Sequence, residues 1–168
     1  MSHVLLLDSN VWSHLFLGDL PMRKKVAAQL DALRLKYPGA AMATSAICVA
    51  ECLVAVRRLP DAATANQFEA LLQAQFNNPN VMVVAVSSAA LDRAASLRAN
   101  RLKLAASQGS QLAGADGGKL LLPDAIIAAS CLNFSPPAIL VTQNQSDFRY
   151  AEGGVTKTVA DLVVEGVG

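Results

Sequence analysis

An almost unbroken apolar run near the start of the chain, Val4-Leu5-Leu6-Leu7, stops on Asp8, Ser9 and Asn10. It lacks the polar alternation of a half-exposed strand and so predicts a strand buried on both faces, as in parallel sheets. Such a strand delivers its last side chains to the carboxyl edge, where open α/β sheets bind their ligands. Val11 to Leu17 predicts a short helix with Ser9 or Asn10 as its N-cap. Pro21 opens a longer helix to about Tyr37, with Val26, Leu30, Leu33 and Tyr37 on one stripe and Arg23, Lys24, Lys25, Arg34 and Lys36 outside it.

Ala40 to Thr44 reads as a weak second strand, and Ser45 caps a helix through Ile47, Glu51 and Val54 to Arg57-Arg58. A break at Leu59-Pro60-Asp61 and a restart at Asp61 or Thr64, carrying Phe68, Leu71, Leu72 and Phe76, predict a helical hairpin. The turn Asn77-Asn78-Pro79-Asn80 leads to a third strand, Val81 to Val86, after which Ser87-Ser88 caps a helix through Leu91, Leu97 and Leu104. Ser107 to Gly118, rich in Gly, Ser and Ala, is expected to be a mobile loop. Leu122-Pro123-Asp124 opens an apolar helix to Leu132 that Ser135-Pro136-Pro137 ends; Ala138 to Val141 is a fourth strand and Val155 to Val159 a final edge strand. This alternation predicts a mostly parallel sheet with helices on both faces, joined by right-handed crossovers. No repeat or linker divides the chain, so residues 1–168 are expected to form one domain.

Composition narrows the partners. The hydrophobic fraction of 53% is high for a soluble domain, yet no apolar run approaches the roughly 18 to 20 residues of a membrane span, and the surplus points to a partner-facing surface. A net charge of +1 makes no global demand for a nucleic-acid partner, so any basic surface is local. The odd cysteine count, with Cys48 and Cys52 four apart in one helix, favours reduced thiols and a cytoplasmic protein. The amino terminus lacks the pattern of a signal peptide.

Four acids carry the candidate chemistry. Asp8 follows the buried strand, and read alone it serves equally as an N-cap or as a ligand. Glu51 is more telling, because its helical neighbours Ile47, Cys48, Val54 and Ala55 are apolar, and a carboxylate on such a face needs a neutralising partner, a cation or an arginine. Asp124 sits in a first helical turn, where the helix dipole alone accounts for it. Asn144 and Asp147 lie in a polar turn after the fourth strand. Their shared arrival at one sheet edge changes these separate readings, since several carboxylates there repel one another unless cations share the site. Hard oxygen donors of this kind suit Mg²⁺ or Mn²⁺. His3 and His14 make no zinc spacing with the cysteines, and neither a Gly-x-Ser-x-Gly nucleophile turn nor a Gly-rich phosphate loop is present.

Four blocks in this order resemble the PIN-domain family, most closely the VapC-type ribonuclease toxins. They are Leu5-Leu6-Leu7-Asp8-Ser9-Asn10, Ser45-Ala46-Ile47-Cys48-Val49-Ala50-Glu51, Leu122-Pro123-Asp124-Ala125-Ile126-Ile127 and Leu140-Val141-Thr142-Gln143-Asn144-Gln145-Ser146-Asp147-Phe148. The resemblance implies a three-layer α/β fold with a central sheet of four or five strands. It also implies a metal-dependent endoribonuclease, the toxin of a type II toxin–antitoxin pair. By that analogy Asp8, Glu51, Asp124 and Asp147 are the catalytic, metal-holding acids for one or two Mg²⁺ or Mn²⁺ ions, with Asn10, Thr142 and Asn144 in support. Asn144 stands where relatives carry an acid. The implied partners are an RNA substrate, an antitoxin protein and a second copy of the chain in a homodimer, with no membrane. Arg23, Lys24, Lys25, Arg57, Arg58, Arg98 and Arg101 are candidate phosphate contacts. A PIN-like RNA-binding or protein-interaction module with little or no nuclease activity is the alternative, and an incomplete acidic set would mark it. A receiver-like phosphoacceptor would need paired acids after the first strand and a lysine after the last, and both are missing.

Overall fold

The computed structural model describes residues 3–107, 120–152 and 155–168. In chain order the elements are β1 (Val4–Leu7), α1 (Ser9–Phe16), α2 (Leu20–Lys36), β2 (Ala41–Ser45), α3 (Ala46–Arg57), α4 (Ala62–Phe76), β3 (Val81–Val84), α5 (Ser88–Ser107), α6 (Leu122–Leu132), β4 (Ile139–Thr142), β5 (Arg149–Glu152), β6 (Val155–Thr158) and β7 (Val164–Gly166). Five strands form one parallel sheet in the order β3-β2-β1-β4-β7, and β5 and β6 make a separate antiparallel hairpin. The segment from Ser107 to Gly118, expected as a mobile loop, lies outside the described residues from position 108 onward.

β1 is the middle strand, and its apolar run serves two cores. Successive side chains of a strand point to opposite faces, so Leu6 joins Ala43, Leu140, Phe148 and the inner faces of α5 and α6, while Leu5 and Leu7 join Val11, Trp12, Val26, Leu72 and Phe76. All three leucines are buried. Burying a side chain of that size is worth about 1.5–3 kcal/mol, which is why a run of this kind specifies a central strand with helices on both sides.

Helix starts follow side-chain capping, with one correction. Asp8 itself is the N-cap of α1, its carboxylate accepting from Ser9 N at 2.6 Å, so Ser9 and Asn10 sit inside the helix rather than ahead of it. The chain leaves β1 with Asp8 still extended, which sets its side chain over the first amide of the helix. Asp19 and Asp61 cap α2 and α4 through Met22 N and Thr64 N. Ser45 occupies the cap position of α3 without bonding it, and its Oγ instead lies 3.4 Å from Ser130 Oγ. The expected hairpin of α3 and α4 is present, clipped by an Arg57–Glu69 ion pair of 2.6 Å.

The carboxyl-terminal edge also differs from expectation. Val155–Thr158 pairs with β5 instead of extending the sheet, and it buries no face: Val155, Thr156 and Lys157 are exposed and Thr158 is half-buried. Val159 and Leu162 are buried in the core beside α6, Ala160 and Asp161 turn the chain with positive φ, and β7 takes the sheet edge beside β4. The three cysteines are buried and free, and no helix among the described residues is long and apolar enough to cross a membrane.

Candidate active site

The chain lays down β1, β2 and β3 outward in one direction, then returns to place β4 on the other side of β1. The carboxyl ends of β1 and β4 therefore flank the switch point of the sheet, where a crevice opens between divergent connections. Asp8 follows β1 there, and Thr142 is the last residue of β4.

Asp8 is 4% exposed and held on both oxygens. Oδ1 accepts from Ser9 N, while Oδ2 accepts from Asn10 Nδ2 at 2.8 Å and from Thr142 Oγ1 at 2.7 Å. Thr142 Oγ1 in turn accepts from Asn144 N at 3.1 Å, and Asn10 Oδ1 accepts from Gln143 N at 3.1 Å. Asn10 and Thr142 thus tie the two strand ends together and fix the rotamer of Asp8. Burial pushes the Asp8 carboxyl above its usual range against the pull of the Thr142, Ser9 and Asn10 hydrogen bonds.

Glu51 comes to the same place from the second turn of α3. Its carboxyl is raised by burial first and by the Asp8 charge as well, with a hydrogen bond from Ser9 opposing. Asp8, Glu51 and Cys48 each present a ligand atom within 4.8 Å of the others. The sequence counts Cys48 only among the apolar neighbours of Glu51, although its place three residues before Glu51 puts both on one side of α3. Its thiol stands well above the normal range, chiefly through burial and then through Asp8.

Asp124 enters from the first turn of α6, just after Pro123. Its carboxyl is raised to about 7 by burial, and then by the charges of Asp147, Asp8 and Glu51 in that order. Asp147 is exposed in the short 3-10 turn Gln145–Phe148 after β4, and its amide donates to Asn144 O at 3.0 Å. Asp124 therefore sits in the fields of the other three acids read from the sequence. Asn144 takes part through its backbone amide, which holds Thr142.

The basic candidates separate into distinct roles. Arg23 donates to Gly18 O and Phe16 O and closes the end of α1, Arg57 is paired with Glu69, and Arg101 is buried, donating to Arg149 O and stacked over the Tyr150 ring. Arg98 Nε is buried without a hydrogen-bond partner among the described residues. Lys24 and Lys25 are exposed on α2. Arg58 lines a cleft that Asn10 and Glu51 also line.

The donor set fits a divalent cation. None of the ion pairs among the described residues involves Asp8, Glu51 or Asp124; burial raises all three carboxyls, and neighbouring acids raise those of Glu51 and Asp124 further. Carboxylate oxygens in a polar, partly enclosed edge are what Mg²⁺ or Mn²⁺ take.

Comparison with known proteins agrees with this architecture. No curated protein matches the sequence significantly. Among solved structures, FitAB bound to an IR36 DNA fragment is similar at 24% identity with a TM-score of 0.66, over 97% of this chain and 94% of that one. VapBC2 from Rickettsia felis, bound to a DNA fragment from its promoter, is similar at 17% identity with a TM-score of 0.64, over 98% and 99%. A toxin-antitoxin complex from Klebsiella pneumoniae is similar at 23% identity with a TM-score of 0.56, over 86% and 89%. Likeness at these identities speaks for the fold. The PIN domain profile matches residues 5–151, a span that carries the whole acidic edge from Asp8 to Asp147, and the chain belongs to the PIN domain family.

Proposed function

We propose that the protein is a metal-dependent endoribonuclease that hydrolyses RNA phosphodiester bonds, and that it is the toxin of a type II toxin–antitoxin pair. What supports this most is the meeting of Asp8, Glu51, Asp124 and Asp147 at the switch point, with Asp124 driven to about 7 by burial and its acidic neighbours. These four residues would hold one or two Mg²⁺ or Mn²⁺ ions. A bound ion supplies Lewis acidity, which readies a water for attack and offsets charge on the phosphate. The chain's own residues supply order: Asn10, Ser9 and Thr142 preset Asp8, and the amide of Asn144 steadies Thr142. The carboxylates then serve as ligands and not as nucleophiles.

The toxin assignment draws on the complexes among its structural neighbours, which pair a PIN-like fold with an antitoxin. Exposed apolar side chains such as Leu35, Leu71, Leu121 and Leu122 suit an antitoxin and a homodimer partner in the cytoplasm. The test incubates labelled RNA with the wild type or Asp124→Asn, with Mg²⁺, Mn²⁺ or chelator. Metal-dependent cleavage by the wild type and its loss in the variant are expected. Equal cleavage by both proteins, or cleavage that survives chelation, refutes the reading. For the toxin role, induced expression should arrest bacterial growth only while the four acids are intact.

A further inference from the structure

A cleft runs from the acidic edge along the seam of α1 and α3, with a volume near 620 Å³. That lies within the roughly 300–1,000 Å³ of small-ligand sites. It shares Asn10 and Glu51 with the acidic site, and Pro123, the neighbour of Asp124, closes one side. Its floor is aliphatic, formed by Ile47, Val54 and Ala55, and Val54 is 56% exposed there with nothing packed over it among the described residues. Ser13 and His14 also line it, Ser13 hydrogen-bonded to Cys52 and His14 with its Nδ1 buried and without a hydrogen-bond partner among the described residues. At the far end lies Arg58, the one arginine or lysine among the described residues of the lining, and none of the described ion pairs uses it.

We infer that this cleft is a nucleotide subsite: it takes the unpaired base next to the scissile phosphodiester, and Arg58 holds the following phosphate. The inference rests on the RNA-nuclease reading and adds where the substrate strand lies. The chemistry of the lining selects the occupant. A nucleobase presents an apolar face to Ile47 and Val54 and a hydrogen-bonding edge to the Ser13 hydroxyl and the His14 ring, polar groups that an aliphatic side chain would not meet. The helix carries the phosphate contact at a suitable remove, since the seven residues from Glu51 to Arg58 span roughly 10 Å of rise, one or two steps along an extended strand. Charge sets the polarity, with an acidic end for the ion-bound phosphate and a cationic end for its neighbour. The floor offers no aromatic ring, so the base is held by shape and edge contacts instead of ring stacking, and discrimination between bases falls to Ser13 and His14.

The test measures fluorescence polarisation of a labelled single-stranded RNA and of an abasic oligonucleotide of equal length, in chelator so that nothing is cleaved. Arg58→Ala is expected to weaken binding of both about tenfold, as loss of a charged hydrogen bond does. Ala50→Phe, at an exposed lining position, fills the cleft without touching the core and is expected to weaken the RNA by about the same factor while leaving the abasic probe unaffected. Lys103→Ala, an exposed cation on α5, serves as the charge-matched control and is expected to bind as the wild type does. RNA affinity in Arg58→Ala and Ala50→Phe indistinguishable from the control overturns the subsite, and a cleft that serves only a polypeptide partner gives that result. An equal loss for abasic and normal probes in Ala50→Phe overturns the base assignment. Wild-type protein that binds RNA in this cleft-dependent way yet never cleaves it with metal refutes the nuclease reading and leaves the subsite standing.

Discussion

At the scale of the residue, the site is governed by where protons and lone pairs go. Replacing Thr142 by Val keeps the shape of a fully buried side chain but removes the hydroxyl that Asp8 Oδ2 accepts from and that Asn144 N donates to. A lost hydrogen bond to a charged, buried group costs about 1.5–3 kcal/mol, so Thr142→Val should lower unfolding stability by that much in urea titration. Mn²⁺ affinity should also fall at least about tenfold by calorimetry, the usual penalty for freeing a ligand's support. Asp124 makes a prediction in pH. Its folded carboxyl titrates near 7, while unfolded it would titrate near 3.9. Below about 4 both states are protonated and the group costs nothing; as pH rises toward 7 the folded state holds a proton the unfolded state has released, so metal-free stability is lost across that window. Asp124→Asn should therefore gain over the wild type as pH climbs from 4 to 7 in thermal denaturation, and a difference that does not change with pH would contradict the shift. Much at this scale was legible. Asp8 and Asp124 stood out as acids at a strand end and a helix start and Glu51 as an acid on an apolar helix face, whereas the choice of Asp8 over Ser9 or Asn10 as the cap of α1 depends on the turn between β1 and α1, and the nearness of Cys48 to Asp8 on how α3 packs against that turn.

At the scale of the element, buried area outweighs charge. The hairpin of α3 and α4 is joined at its surface by the exposed Arg57–Glu69 pair and at its base by Leu72 and Phe76, with Phe76 edge-on to the Trp12 ring at 5.4 Å. Phe76→Ala opens a hole beside Trp12 and should cost about 3–5 kcal/mol. Arg57→Ala removes a solvent-screened pair and should cost far less than Phe76→Ala. Urea midpoints of the two variants, compared at constant slope, decide the ranking. The sequence pattern was a good guide wherever an element buries a stripe, as in α2, α4 and α6. It failed at the carboxyl terminus, where Val155-Thr156-Lys157-Thr158 has strand-forming residues but no buried face, and the sheet edge went to Val164–Gly166, a strand of three residues whose neighbours Leu162 and Val167 carry the burial. Periodicity over three residues cannot be told from chance, so such an edge is settled only by the contact it makes with β4.

At the scale of the whole molecule, the acidic edge joins parts of the chain far apart in sequence. Asp8 and Glu51 belong to the first third of the chain and Asp124 and Asp147 to its last third, and the parallel order β3-β2-β1-β4-β7 is what brings them together. That order follows from crossovers that the strand pattern implies in hand but not in sequence. The arrangement has a price in the metal-free protein, because folding gathers four acids that the unfolded chain keeps apart. An ion that binds only the folded edge stabilises the whole fold through RT ln(1 + [L]/Kd), about 2.7 kcal/mol at a hundredfold excess over Kd. For a chain of this length that amounts to a rise in Tm of roughly 5–10 °C. Saturating Mn²⁺ should produce it at pH 8 and a smaller rise at pH 5.5, where Asp124 still holds the proton that the ion must displace. The rise should disappear in Asp8→Asn, whose substituted side chain can still accept from Thr142 but brings no charge to the ion. Scanning calorimetry of the wild type and Asp8→Asn, with and without Mn²⁺ at both pH values, separates a bound ion from a general salt effect, which would shift both proteins alike.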